Sequence, residues 1–500
     1  MLLLENGVIA DGASPDLYKG SILLDGDVIR EVLPEGAEVD SCCCRMDLGG
    51  CTVAPGFVDA HSHFESTILR YPACKSLLAQ GVTTIVGGNC GFSHALSGSE
   101  AGYSWKNLKE YIEVFNKVSP SLNVVALAGH NTLRQLVMGT ENRAPSVAEM
   151  EEMKRLLADA LEAGAAGLTF GLTYIPGKYS RTAELTELTS CLKGTGKLIA
   201  AHMRSEGDAL EEALEEMFTV AQSASIPFHV SHIKTIFKQN FHKLPRMLEL
   251  LEDAEKRGIR ITADRYPYIY SSTSLRQILP PPYDLIADIA GYLKESESNF
   301  SAVEKALEKS PRDLPTTIIL FGGYAGKTLQ EISLLTGESM EKTACTLLKE
   351  APNGRCAYLC MSEKNMVELI RKPFVACGSD GLGMSLDDPG NLAHPRSVGS
   401  LPKFFRIAAD SLGVAEAVRK CSALPAEIFR IPDRGLIRKG MKADLVILEP
   451  EKVDSYGDYL GNDLVPRGIK KVFLAGEVVY EASTGSFYPG RGEFLPILNK

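Results

Sequence analysis

The 500-residue chain contains no block of basic residues, and its formal net charge is −10. That excludes nucleic acid or an anionic membrane as its main partner. No apolar stretch approaches the length of a membrane span. The start, MLLLENGVIADG, is too short for the apolar core of a signal peptide and lacks a basic lead. The twelve cysteines, among them the run Cys42-Cys43-Cys44, lack the regular spacing of a disulfide framework. The expectation is reduced thiols in a cytoplasmic protein. Cys356 and Cys360 read as ordinary buried or half-buried thiols. Histidine is also scarce, with nine residues in the chain, and their placement is the first positive signal.

Five hundred residues exceed one small core and suggest a large barrel-type domain with an accessory domain, or several smaller domains. Hydrophobic content of 45% and charged content of 23% are ordinary for a globular chain. The centre alternates short apolar runs with helical patterns: GFVDAHSH at 56–63, a helical stretch near 66–80, GVTTIVGGNCG at 81–91, then LNVVALAGH at 122–130. An amphipathic helix over 148–164 stops at Gly164. AGLTFGLTYI (166–175), KLIAAHMRS (197–205), IPFHVSHIK (226–234), IRITADRYPY (259–268) and PFVACGSDG (373–381) complete the set. Helices over 208–224 and 243–257 separate some of them. Eight strands that read as buried on both faces, alternating with helices, predict an α/β protein built on a (β/α)8 barrel.

The ends show period-2 hairpin patterns, in GSILLDGDVIREV and again in ADLVILEP and KKVFLAGEVVYEAS. We expect residues 1–54 and 415–500 to form one small β-sandwich and residues 55–414 the catalytic barrel. Residues 279–372 lie between strands seven and eight and hold helical patterns. They are an insertion over the barrel mouth, with 280–350 as the expected lid.

In such barrels the chemistry sits at the C-terminal ends of the strands. Those ends carry His61 and His63, Cys90, His130, Tyr174, His202, His232, Asp264 with Tyr266 and Tyr268, and Asp380. His61 and His63 share one face of an extended segment. Five of nine histidines at strand ends, beside a cysteine and an aspartate, suit zinc. His130 is weighed as a local hydrogen-bonding residue. His229 and His232, three apart in a strand, face opposite ways, and His232 lies nearer the end. His94 and His242 read as surface residues.

With these residues in view the chain resembles the amidohydrolase superfamily. That group has H-x-H on strand one, histidines after strands five and six, and an aspartate after strand eight. Within it the chain is most similar to the N-acyl-D-amino-acid deacylases, or D-aminoacylases. The shared pieces are GVTTIVGGNCGFS, GLTYIPGKYS, AHMRSEGD, VSHIK, RYPYIYSSTSL, FVACGSDG and HPRSVGSLPKFF, between residues 55 and about 406. GLIRKGMKADLVILEP resembles the return to that family's β-sandwich. Many amidohydrolases bridge two metals with a carboxylated lysine after strand four; here that strand ends GLTYIPG, and Lys178 falls in the loop beyond it. The resemblance implies a tight zinc site of Cys90, His202 and His232. His61 and His63 would form a weaker second site that shares Cys90. One departure is Phe64-Glu65, where members often carry an acidic residue straight after the second histidine.

The implied reaction is hydrolysis of a linear amide to a carboxylate and a free D-amino acid, a small-molecule substrate. Asp380 would take a proton from the attacking water and give it to the leaving nitrogen. Arg396 is the residue expected to pair with the α-carboxylate. Tyr268 and Ser271 to Ser274 would add hydrogen bonds. The resemblance brings Lys234 and Tyr174 near the substrate side chain. A cyclic amidohydrolase of hydantoinase or dihydroorotase type is the alternative, but should show the strand-four lysine. A zinc deaminase of the same barrel has no role for Cys90. The amino-acid side chain, the acyl group, the number of metals and the subunit count stay open.

Overall fold

The computed structural model describes residues 1–37, 43–387 and 394–499. Cys42 of the cysteine run lies outside the described residues. Eight parallel strands form the centre: β1 (Phe57–Asp59), β2 (Val82–Gly87), β3 (Asn123–Ala126), β4 (Gly167–Gly171), β5 (Leu198–His202), β6 (Phe228–Val230), β7 (Ile261–Arg265) and β8 (Val375–Cys377). Every residue in them is buried, which is why most read as short, largely apolar runs. β3 pairs with β2 and β2 with β1. The neighbouring Ala128–Gly129 segment starts the other arc, which runs through β4 to β8. Ala60 N donates to Cys377 O at 3.0 Å and closes the ring.

Helices cover the outside. The Val147–Glu162 helix opens on a capping box between Ser146 and Glu149, which satisfies two orphan donors at once. Leu210–Ala224 and Leu244–Lys256 follow the expected ranges. The stretch near 66–80 does not. It holds one helical turn, Lys75–Leu78, because Pro72 and the left-handed Cys74 (φ 49°) interrupt it.

The two chain ends meet in one nine-stranded sheet. Its junction is the antiparallel pair Thr52–Pro55 with Leu445–Leu448. Leu4, Ile22, Val53, Leu445 and Phe473 are among the residues of its core. The boundary drawn at 414/415 falls too early. Helices Val414–Cys421 and Ala423–Ile428 follow it, and Leu424, Ile428 and Phe429 pack with Val58, Val86 and Ala376 of the barrel. Their apolar faces are buried on the barrel strands, so the sheet strands resume only beyond them.

The chain's last described residues also serve the barrel. Val124 N donates to Glu493 O (2.9 Å), Leu495 N to Val124 O (2.8 Å) and Ile497 N to Gly164 O (2.9 Å). Lys197, 1% exposed, donates from Nζ to the carbonyls of Leu161, Ala165 and Ile497 at 2.8, 2.6 and 2.7 Å.

The insertion exceeds both limits drawn from the sequence. It includes a three-stranded antiparallel sheet of Tyr270–Ser274, Arg355–Leu359 and Ile318–Ile319. Four helices between Ile289 and Glu350 accompany it, with a separate core that includes Leu293, Val303, Leu307, Ile332 and Leu348. Among the described residues no helix is long and apolar enough to cross a membrane.

Candidate metal centre

β1 runs on past Asp59, so His61 and His63 emerge at the barrel mouth. His61 Nδ1 meets Asp264 Oδ2 at 3.0 Å, which turns Nε2 toward Cys90 Sγ, 3.4 Å away. Cys90 follows β2 on a tight turn. The turn crosses β4 so closely that a Cβ on Gly171 would lie 1.9 Å from Cys90 O; only glycine fits there. From β5, His202 places Nδ1 3.8 Å from the same sulfur, and beyond β6 His232 places Nε2 at 3.4 Å. Asp380 follows β8, its N–H bonded to His61 O (2.7 Å). Its Oδ1 lies 3.2 Å from His63 Nε2. Asp59 secures that turn by accepting from Ser379 N at 2.8 Å.

Three of these residues have left-handed backbones: Cys90 (φ 53°), His232 (φ 38°) and Asp380 (φ 50°). Non-glycine residues adopt this conformation at a cost, and it clusters at functional sites. The ligand atoms form two groups sharing Cys90: His61, His63, Cys90 and Asp380, and Cys90, His202 and His232. Within each group they lie within 4.8 Å of one another. Tetrahedral zinc with its usual bond lengths separates sulfur from nitrogen by about 3.6 Å. The observed 3.4 and 3.8 Å separations in the second group bracket that value. Burial alone would raise the Cys90 thiol. The charges on His61 and His232, with hydrogen bonds from His202 and His232, reverse that and favour the thiolate. Burial alone would lower His63; its hydrogen bond to Asp380 and the nearby Cys90 push it up to about 9.

The outer partners were not read from the sequence. Asp264 Oδ2 accepts from both His61 and His229 (2.9 Å), and Oδ1 accepts from His232 N. Glu206 lies 3.0 Å from His232 Nδ1 and accepts from Lys234 Nζ at 2.6 Å. Carboxylates behind imidazoles fix which ring nitrogen faces the metal. Glu206 is four residues past His202, in a loop where no periodicity marks it. His229 also corrects the expectation that only one of the 229/232 pair points inward. β6 ends at Val230, and the turned backbone at His232 brings both rings into the barrel.

Other expected residues are placed as follows. Asp380 Oδ2 lies 2.8 Å from Arg396, whose other arm donates to Ser272 O (3.0 Å). Burial opposes ionisation of Asp380, and Arg396 and His63 hold its carboxyl well below the usual range. Tyr174 lies edge-on to His202 and lines two cavities, of about 700 and 310 Å³. Lys234 and Ser271 line the smaller; Lys234 is ion-paired to Glu206, not free. Tyr268 does not reach either cavity. Its hydroxyl donates to Pro395 O (3.3 Å), and Tyr266 lines the smaller cavity instead, because β7 ends at Arg265 and strand alternation no longer governs. Lys178 pairs with Asp284 at 2.5 Å and belongs to neither ligand group. Glu65 accepts from Gly88 N (3.0 Å) and braces that turn. His130 pairs with Glu184 at 2.8 Å, away from the metal groups. His94 is half-buried against Trp105 rather than on the surface, while His242 is exposed.

The sequence matches the amidohydrolase family over residues 45–303 and 405–480. It is 31% identical to an N-acyl-D-glutamate deacylase of Alcaligenes xylosoxydans xylosoxydans, over 98% of this chain and 96% of that one. A D-aminoacylase of the same organism is 29% identical, over 96% of this chain and 94% of that one. Among solved structures, an N-acyl-D-glutamate deacylase from Bordetella bronchiseptica superposes with a TM-score of 0.84 at 27% identity, covering 99% of both chains. It was crystallised with zinc and a phosphonate that mimics the tetrahedral intermediate of its reaction. With a family match over residues 45–303 and 405–480 and a relative matched over nearly its whole length, the chain belongs to the amidohydrolase family.

Proposed function

We propose that this protein is a zinc-dependent N-acyl-D-amino-acid deacylase, hydrolysing the amide to a carboxylate and a free D-amino acid. The carrying observation is the convergence of Cys90, His202 and His232, with Asp380 beside them at the mouth. Cys90, His202 and His232 would hold one zinc tightly, and His61 and His63 would offer a weaker site sharing the thiolate. Zinc, when bound, polarises the scissile carbonyl and acidifies the attacking water. Asp380 is held ionised by Arg396 and His63, so it starts as a base. It accepts the water's proton and delivers it to the departing nitrogen, which leaves poorly unless protonated. Arg396 receives the α-carboxylate, and Tyr174, Lys234 and Ser271 surround the side chain. A cytoplasmic location suits the cysteines, since those in the described residues are free thiols.

The hand of the substrate rests on the likeness to D-amino-acid deacylases. With the scissile carbonyl and the α-carboxylate both anchored, the latter at Arg396, inverting Cα would send the side chain the other way. It otherwise pulls the carboxylate off its partner. A lost buried charge pair costs about 2–5 kcal/mol, a factor of tens to thousands in kcat/KM. Zinc-loaded protein should therefore hydrolyse N-acetyl-D-amino acids faster than their L counterparts by that margin. Equal rates on both isomers would remove the deacylase assignment.

The same reading makes the terminal sheet an accessory β-sandwich and the β7–β8 insertion a lid. The insertion has its own core and meets the barrel loops through Lys178–Asp284 and Tyr179 Oη to Leu285 O. Its amides should exchange faster than those of the barrel and slow when ligand binds. Barrel-like protection in both states would make it a rigid cap.

A further inference from the structure

One cation at the mouth of the site has no anionic partner among the described residues. Arg355 begins the central strand of the insertion's small sheet, opposite Ser274. It lines the cavity of about 700 Å³ that His63, Cys90 and Asp380 also line. It is half-buried, and no described residue hydrogen-bonds or ion-pairs with its guanidinium. Neighbouring cations are committed elsewhere. Arg276 donates to the carbonyls of Ile286 and Ala287. Lys234 holds Glu206, and Arg396, which meets Asp380, is the residue already assigned the α-carboxylate.

The acids of that cavity are equally taken. Asp380 lies between Arg396 and His63, and Glu65 is buried against Gly88 N. Burial and the nearby charge of Arg396 both push the Arg355 guanidinium down. Two like charges therefore share the mouth, and among the described residues one of them has no counter-ion. An unpaired, partly desolvated guanidinium is unfavourable until a ligand brings the anion, and its planar fork matches a carboxylate. The cavity is in the size range of drug-sized ligands, so room remains beyond an acetyl group.

We infer that Arg355 recognises a second carboxylate on the substrate, beyond the α-carboxylate, and that the preferred substrates are dianionic. This rests on the deacylase reading. The second carboxylate comes from an acidic amino-acid side chain or from a dicarboxylic acyl group, and both present the same chemistry to the guanidinium.

Three substrates separate the sources: N-acetyl-D-alanine, N-acetyl-D-glutamate and N-succinyl-D-alanine. The parent enzyme should favour one dianionic compound over N-acetyl-D-alanine in kcat/KM. In Arg355→Gln that ratio should fall by roughly 10- to 100-fold, the worth of a hydrogen bond to a charged group. The arm that falls identifies the source. Arg355→Lys, which keeps the charge without the fork, should fall between the two. Ratios unchanged in Arg355→Gln on both arms, including an equal loss on all three substrates, would overturn the inference. If the zinc-loaded parent hydrolyses none of them, the deacylase reading fails on its own. Arg355 is then tested by calorimetric titration with glutarate against butyrate. Glutarate preferred by the parent and lost in Arg355→Gln supports the role; equal binding by both proteins overturns it.

Discussion

Asp380→Asn will lower kcat by about 10²–10⁴, the range for loss of a general acid/base, while zinc content and fold are unchanged. The substitution is nearly isosteric, and Asn tolerates the left-handed backbone at this position (φ 50°). The backbone anchors are kept: Asp380 N still reaches His61 O, and Ser379 still reaches Asp59. What is lost is the charge. An amide accepts no proton at neutral pH, and it relieves neither Arg396 nor His63 of an unpaired cation. The fall should therefore lie in kcat with intact metal binding. Stopped assays on variant protein of verified zinc content will read this. Activity within a few-fold of the parent would rule Asp380 out as the proton carrier.

Cys90→Ser will strip most of the zinc from protein that otherwise purifies with about one ion per chain. The sulfur is the atom common to both ligand groups, and it carries the negative charge that balances zinc among imidazoles. A serine hydroxyl stays protonated and is a harder, weaker donor. The affinity loss should exceed the roughly 10–100-fold that follows removal of an outer-shell partner. Dialysed variant, measured by atomic emission, should hold a small fraction of an ion, and turnover should fall with it. Full zinc retention would mean that the tight site lies elsewhere.

Much of the barrel can be read from the chain because its strands are buried on both faces. β3 and β5 announce themselves as mostly apolar runs, and the residues that follow them are then known to face the mouth. What fails is information held by pairing across long separations. Asp264 lies 203 residues from His61 and 35 from His229, and no local pattern links them. Alternation sets His229 opposite to His232, and Tyr268 is expected to bond the substrate; both fail where a strand ends and the backbone turns. Lys234 carries no local sign of its partner, and Glu206, 28 residues away, is folded against it. Arg355 carries no motif at all. Its interest comes from what is missing around it, which only the assembled mouth reveals.

The strap of residues 493–497 beneath the barrel sets an order of events during translation. β1 leaves the ribosome early, but its barrel has no finished floor until Glu493, Leu495 and Ile497 bond to Val124 and Gly164. Lys197 also waits for Ile497 O, 300 residues on and the most distant of its three carbonyls in sequence. At typical elongation rates the longer interval, counted from β1, is roughly 20–90 s. Throughout it, Val58, Val86 and Leu198 lack the Leu495 and Ile497 side chains that share their cluster. A chain truncated just short of residue 490 should therefore expose an apolar floor that residues 493–497 otherwise cover.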